Sequence, residues 1–275
     1  MTNPSITILM SAKNASKTVE SAIESILQQS YPEFEFLIIN DGSTDATPDI
    51  LEAFKKKDSR IRIIHQENLG LTKSLQKGLN AAAGELIFRQ DADDLSVPNR
   101  ISMTLPYLKH NAIVVSGWEN FDESRIWTSR ASWALTHFPQ HLRDMVLSFV
   151  NIAAHGTYAF KKTEALRVGG YREYFTLAQD YDLLLRLKKM GMQVIPQSLY
   201  QLRIHKNSLS IEKKDKQKTF AAVASMLAWS DESSSNYSLN QEEFKEVETL
   251  RQKLSGDFPI RSLILNAILA FRYSS

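Results

Sequence analysis

The chain has no cysteine among its 275 residues. That excludes disulfides, zinc–thiolate centres and thiol catalysis, and it fits a reducing compartment. Long apolar runs are missing too. A bilayer span needs about 20 apolar residues. The nearest approach, 263–271, is shorter and holds Asn266. The start, Met1-Thr2-Asn3-Pro4-Ser5, has neither the basic region nor the apolar core of a secretory leader. Charge of one sign is scarce: the formal net charge is +2, so broad nucleic-acid binding is not expected. No Gly-x-Gly-x-x-Gly follows the first strand-like segment, which argues against a dinucleotide oxidoreductase. The apolar share of 43% and charged share of 23% are those of an ordinary soluble protein. The length allows one large domain, or one domain with a helical appendage.

What is present is an alternation of strand and helix patterns. Residues 6–10 read as a short buried strand. Val19, Ala22, Ile23, Ile26 and Leu27 then recur at helical spacing, with Ser16 or Asn14 as cap. Residues 34–39 give a second strand, and Asp41-Gly42-Ser43-Thr44-Asp45 a turn-rich loop. Thr47-Pro48 opens a helix, Thr as cap and Pro at the first position, with Ile50, Leu51 and Phe54 facing inward. Ile61, Ile63 and Ile64 mark a third strand. Leu71, Leu75, Leu79 and Ala82 mark a third helix that stops at Gly84, and residues 85–89 a fourth strand. Repeated βαβ spacing implies a mostly parallel, doubly wound sheet with helices on both faces. The loops after strands one, two and four then share one edge, which gathers Asn14, Asp41 and residues 91–94 in one crevice.

The second half is less regular. A helix is expected over 98–108 and a strand over 112–115. An aromatic-rich stretch without period follows over 119–154, then a strand over 155–160 and a turn at Gly169-Gly170-Tyr171. A helix begins at Gln179, strand-like segments over 194–204 end at His205, and helices run from 213 with a break at 230–238.

The segment Gln90-Asp91-Ala92-Asp93-Asp94 poses an electrostatic problem. Three carboxylates within four residues at a strand end raise one another's pKa and destabilise the fold. A hard divalent cation resolves this, since carboxylate oxygens are its preferred ligands. A solvated acidic turn is the alternative.

Five segments in order now carry a resemblance. They are Asn40-Asp41-Gly42-Ser43-Thr44-Asp45, Asn68-Leu69-Gly70-Leu71-Thr72-Lys73-Ser74-Leu75, Asp91-Ala92-Asp93-Asp94, Gln179-Asp180-Tyr181-Asp182-Leu183 and Leu202-Arg203-Ile204-His205-Lys206-Asn207-Ser208-Leu209-Ser210. Together they resemble the motifs of the family 2 glycosyltransferases. The likeness implies the GT-A fold, an α/β, Rossmann-like, mostly parallel central sheet with helices on both faces, here with a C-terminal helical extension. It implies a glycosyltransferase domain over 1–210, with a nucleotide-sugar half (1–110) and an acceptor and catalytic half (111–210), and a helical extension over 211–275.

The implied reaction is metal-dependent, inverting transfer of a sugar from a nucleotide donor, a UDP-sugar, to a hydroxyl of a glycan or lipid-linked acceptor, in bacterial surface polysaccharide synthesis. Asp41 would accept a hydrogen bond from the uracil or ribose. Asp91 would lie near the ribose or metal, and Asp93 would bind Mn²⁺ or Mg²⁺ directly. His205 would be a third ligand or a diphosphate contact, unless it is structural. Lys73 is either a diphosphate contact or a solvated helix lysine. Asp94 would support the cluster or sit at a helix N-terminus. Ser11 and Asn14 would edge the base pocket, where the family's Pro-Thr-Tyr-Asn is replaced by Ser11-Ala12-Lys13-Asn14. Asp180 would be the general base, in a Gln-Asp pair where Glu-Asp is usual, with Asp182 structural. Gly169 and Gly170 would form the acceptor-side turn. Trp118, Trp127 and Trp133 either stack on sugars or fill a core.

Two other functions remain open on the sequence: a sugar nucleotidyltransferase, whose Gly-rich N-terminal loop is absent here, and a nucleotide-sugar-binding module without catalysis. The apolar positions of 258–271 form a helix face that packs on its own domain, on a second subunit as a homodimer, or on a membrane. The expected location is the cytoplasm, with a peripheral position at the inner face of the membrane as one option.

Overall fold

The computed structural model describes residues 5–205, 214–229 and 241–254. Strands β1 (Ile6–Ala12), β2 (Glu35–Asp41), β3 (Ile61–Gln66) and β4 (Leu86–Asp91) alternate with helices α1 (Val19–Leu27), α2 (Thr47–Lys57) and α3 (Leu71–Ala81). A short β5 (Leu95–Ser96) and α4 (Arg100–Leu108) lead to β6 (Ile113–Phe121), β7 (Ile126–Trp127), α5 (Arg130–His137) and α6 (Gln140–Leu147). Beyond these lie β8 (Ala159–Lys161), α7 (Lys162–Arg167), α8 (Gln179–Lys188), β9 (Met192–Arg203), α9 (Lys214–Trp229) and α10 (Gln241–Leu254).

The sheet runs β3-β2-β1-β4-β8-β6-β9-β5, with β7 on β6. The first four strands are parallel. Strand β8 is antiparallel to both β4 and β6, and β6 and β9 are parallel. This is the expected α/β architecture, with an antiparallel strand inserted at the middle.

Period-two alternation sorts the side chains onto two faces. Ile6, Ile8, Met10, Phe36, Ile38 and Phe88 enter one core, closed by α1, α2 and α4. Leu9, Leu37, Ile39 and Ile87 enter the other, closed by α3, α8 and α9. Leu75 and Leu79 of α3 are fully buried there and contribute roughly 1.5–3 kcal/mol each.

Four local expectations change. Thr18, not Ser16 or Asn14, stands at the cap of α1. Thr47 lies inside α2, not at its cap. Its hydroxyl instead accepts from Ala15 N at 2.8 Å, while the Asp45 carboxylate accepts from Thr47 N and Ser16 N. The α2 start thus holds the loop after β1. The strand expected over 155–160 is a 3₁₀ turn, His155–Thr157, followed by β8. Tyr200 presses on that turn so closely that a Cβ at Gly156 would lie 2.1 Å from its ring. The aromatic-rich stretch over 119–154 contains α5 and α6 rather than irregular chain. Helices from 214 are as expected, whereas the break at 230–238 and the apolar face over 258–271 lie outside the described residues. Among the described residues no helix is long and apolar enough to cross a membrane.

Candidate active site

Strand parity builds the site. Ser11 pairs with Ile39 on one side and Asp91 on the other. Ile39 belongs to the α3-side core, so Ser11, Asp41 and Asp91 all project from that face at the carboxyl ends of neighbouring parallel strands. Open α/β sheets bind ligands at that edge.

Asp41 is buried and held by the loop before α3. Its Oδ1 accepts from Gln66 Nε2 and Leu69 N, both at 2.8 Å, and its Oδ2 accepts from Gly70 N at 3.0 Å. Burial pushes the carboxyl up, but these donors, with Ser74, outweigh it and hold it below its ordinary value. Gly42 is required beside it. Its φ is +65°, and a Cβ would lie 2.6 Å from Asn68 N. Asn14, also at positive φ (49°), accepts from Thr44 N at 2.8 Å and closes the same edge. The Ser11 hydroxyl is half-buried on that edge.

The three acidic neighbours have three different surroundings. Asp91 Oδ1 accepts from Arg89 Nη2 at 2.6 Å. Asp93 Oδ2 lies 2.9 Å from His205 Nε2, both side chains about one-third exposed. Asp94 is buried and accepts from Arg203 N at 2.7 Å. Burial, then Asp93 and Asp91, push its carboxyl well above the ordinary value. Strand β5, not a helix, follows Asp94, so the helix N-terminal role expected for it is corrected to a tie between this loop and β9. Gln90, on the opposite face, fixes the loop by donating to the Asp91 and Asp94 carbonyls.

The expected trio of metal ligands appears as a pair. Asp93 and His205 meet, while the Asp91 carboxylate turns to Arg89. Among the described residues no three acidic or histidine side chains gather as a ready-made cage. Lys73 does not enter the crevice either. Its Nζ lies 3.5 Å from Glu173, with both side chains largely exposed.

Asp180 stands in the first turn of α8, buried. Asn151 Nδ2 donates to its Oδ2 at 3.1 Å, and the Asn151 amide is oriented by Ala153 N, which donates to its Oδ1. Burial drives the carboxyl up from 3.8 to about 6; hydrogen bonds from Tyr181 N and Asn151 oppose this, and the charge of Asp91 adds to it. A carboxyl tuned near neutrality suits a general base. Asp182 faces elsewhere. It is buried in an ion network with Arg172 and Arg186, and Arg186 also donates to the carbonyls of Val168 and Gly170. That network clamps the Gly169-Gly170 turn. Trp118 is buried and Trp133 is 52% exposed, and Trp127 lies under the Arg125 guanidinium.

Arg89, His155, Tyr171 and Asn151 escape the sequence reading. Parity could have found Arg89, two residues before Asp91 on the same strand face. The other three reach the site through turns that carry no periodicity.

The fold resembles solved glycosyltransferases. The S. aureus TarS 1–349 structure in complex with UDP aligns with a TM-score of 0.62 at 16% identity, covering 92% of this chain and 72% of that one. The mannosyltransferase PcManGT from Pyrobaculum calidifontis, solved with GDP-Man and Mn²⁺, gives 0.61 at 17% identity over 98% and 74%. In sequence, the O-antigen biosynthesis glycosyltransferase WbnJ of Escherichia coli is 29% identical over 74% of this chain and 81% of its own length. The profile of glycosyl transferase family 2 matches residues 7–169, more than half of the chain. With an α/β sheet of the GT-A kind and acidic groups at the ends of its parallel strands, the chain belongs to glycosyl transferase family 2 and is a glycosyltransferase.

Proposed function

We propose that the chain transfers a sugar from a UDP-sugar, with inversion, to a hydroxyl of a glycan or lipid-linked saccharide during bacterial surface polysaccharide synthesis, in the cytoplasm. Family membership sets aside the nucleotidyltransferase alternative. One observation carries the reading: Asp180 is buried in the first turn of α8, held by Asn151, with its carboxyl pushed up to about 6 by burial and, in smaller part, by the charge of Asp91. The UDP bound by TarS and the O-antigen role in WbnJ's name support the donor and the pathway class.

The donor set also fits a divalent cation. Asp93 and His205 offer one carboxylate and one imidazole at 2.9 Å from each other, which suits Mn²⁺ when diphosphate oxygens and water complete the shell. PcManGT was solved with that ion. When bound, the cation would neutralise charge growing on the leaving diphosphate. In this reading Asp41 and the edge formed by Ser11 and Asn14 meet the base and ribose. Lys73 reaches the diphosphate by leaving Glu173, an exposed pair worth under about 1 kcal/mol. Asp180 accepts the proton of the attacking hydroxyl, and Asn151 keeps its Oδ2 in place. Attack from the side away from the diphosphate inverts the anomeric carbon. The domain boundary near 210 and a docking role for the tail belong to the same reading.

UDP release from a panel of UDP-sugars, with and without MnCl₂ and acceptor, tests this. Turnover should require the metal, and Asp93→Ala should abolish metal-dependent donor binding. Full turnover in excess EDTA would overturn the metal assignment.

A further inference from the structure

Arg89 is anomalous by ordinary rules. It lies on β4 between Ile87 and Asp91, on the face that builds the α3-side core, and it is completely buried. An unpaired guanidinium there would cost several kcal/mol. Instead its donors are committed one by one. Nη1 donates to the carbonyls of Leu9 and Gln90, Nη2 to Asp91 Oδ1, and Nε to His155 Nε2 at 3.2 Å. The Leu9 carbonyl belongs to β1, the strand that carries Ser11. The guanidinium therefore joins β1, β4 and the 3₁₀ turn beneath the donor edge.

The far end of this chain is also fixed. Because Arg89 Nε donates, His155 Nε2 must accept. The Tyr171 hydroxyl lies 2.9 Å from the same nitrogen and shares its single lone pair with Arg89 as a second donor. Both contacts require a neutral imidazole with its proton on Nδ1. Burial, then the Arg89 charge, hold the His155 pKa well below its ordinary value. Tyr171 is anchored in turn, since its backbone N donates to Gln76 Oε1 of α3 at 2.7 Å. The aligned residues thus run from α3 through Tyr171, His155 and Arg89 to Asp91.

We propose that Arg89, held by His155 and Tyr171, is the positioning residue that orients Asp91 toward the nucleotide as a charge-paired acceptor. Oδ1 is engaged by Arg89, which leaves Oδ2 to the donor. Asp93 and His205 are left to the cation. This division rests on the nucleotide-sugar reading above and adds to it a resident counter-charge. A lysine would not replace Arg89, because a tetrahedral ammonium cannot supply the planar fork that meets Asp91 and His155 together.

The test uses the full chain with UDP and MnCl₂ in calorimetry, and with donor in steady-state kinetics. Arg89→Met should weaken UDP binding tenfold or more and raise the donor KM more than it lowers kcat. Arg89→Lys should fall between Arg89→Met and the wild type. Tyr171→Phe, which removes one hydroxyl and adds no bulk, should weaken UDP binding about threefold. A folded Arg89→Met that binds UDP within twofold of the wild type overturns the proposal. So does a fall in kcat alone, which a merely structural residue would give.

A ligand-free arm separates this from the reading it rests on. Arg89→Met should lower the melting temperature, and adding Asp91→Asn should restore at least half of the loss. Additive losses overturn the pairing. If Arg89→Met alone does not fold, the double variant decides: recovery of a cooperative transition upholds the pairing, and its absence overturns it. If the wild type binds no UDP with Mn²⁺ while the cycle still shows coupling, the donor assignment falls and the Arg89–Asp91 pairing stands.

Discussion

Replacing Asp180 by Asn should make the protein more stable and nearly inactive. The carboxyl is moved from 3.8 to about 6, chiefly by burial. A group whose folded pKa lies above its unfolded value is penalised wherever both states are ionised. At about 1.4 kcal/mol per factor of ten, the penalty is roughly 3 kcal/mol above pH 7. It shrinks as pH falls through 6 and vanishes below 3.8, where both states are protonated. Asn keeps the shape and one acceptor for Tyr181 N and Asn151, and it carries no charge. The melting temperature at pH 8 should therefore rise by roughly 6 °C, with no gain at pH 3.5. UDP binding should stay within twofold of the wild type, because Asp180 does not belong to the donor edge. Transfer should fall by about 10²–10⁴, the usual worth of a general base. Differential scanning fluorimetry at both pH values, calorimetry with UDP and an acceptor-dependent UDP-release assay read the three effects. Transfer within tenfold of the wild type, or a lower melting temperature at pH 8, would refute the reasoning.

The pH dependence of kcat/KM for the acceptor should rise through about pH 6 and level off by pH 7.5, since only the ionised Asp180 accepts a proton; a limb centred below pH 5 would contradict that. Asp182→Asn should do the opposite of Asp180→Asn. It weakens the counter-charge of the buried Arg172 and the partly buried Arg186, and breaking such a network costs about 3–5 kcal/mol, seen as a lower urea midpoint. Gly42→Ala should lose donor affinity. The left-handed backbone alone costs roughly 1–2 kcal/mol, and the new Cβ would meet Asn68 N at 2.6 Å, so calorimetry should find UDP binding weakened tenfold or more.

The first half of the fold is legible because its physics is local. Strands with one parity and helices with one apolar face leave a single arrangement, and the crevice follows from connectivity. Asp41 and Asp91 reach one edge for that reason. The second half resists because its determinants are contacts between distant segments. His155 has a strand-like neighbourhood in sequence, yet the ring of Tyr200 forces its turn. Asn151 sits in a stretch without period and is fixed by a hydrogen bond to a residue 29 positions away. Thr47 looks like a cap, but Asp45 takes the helix start and frees the Thr47 hydroxyl for Ala15 N.

The acidic cluster is the sharpest case of this limit. From sequence it is one electrostatic problem with one remedy, an added cation. In the fold the three carboxylates have three different partners. Asp91 is paired from below with Arg89, a residue already on its own strand. Asp94 is buried against β9, where its surroundings favour the protonated carboxyl. Only Asp93 is left at the surface, with an imidazole as its partner. The Arg89 pair and the Arg203 backbone bond tie two of the three carboxylates to the sheet, yet their charges stay linked, since Asp93 pushes both the Asp91 and the Asp94 carboxyl up.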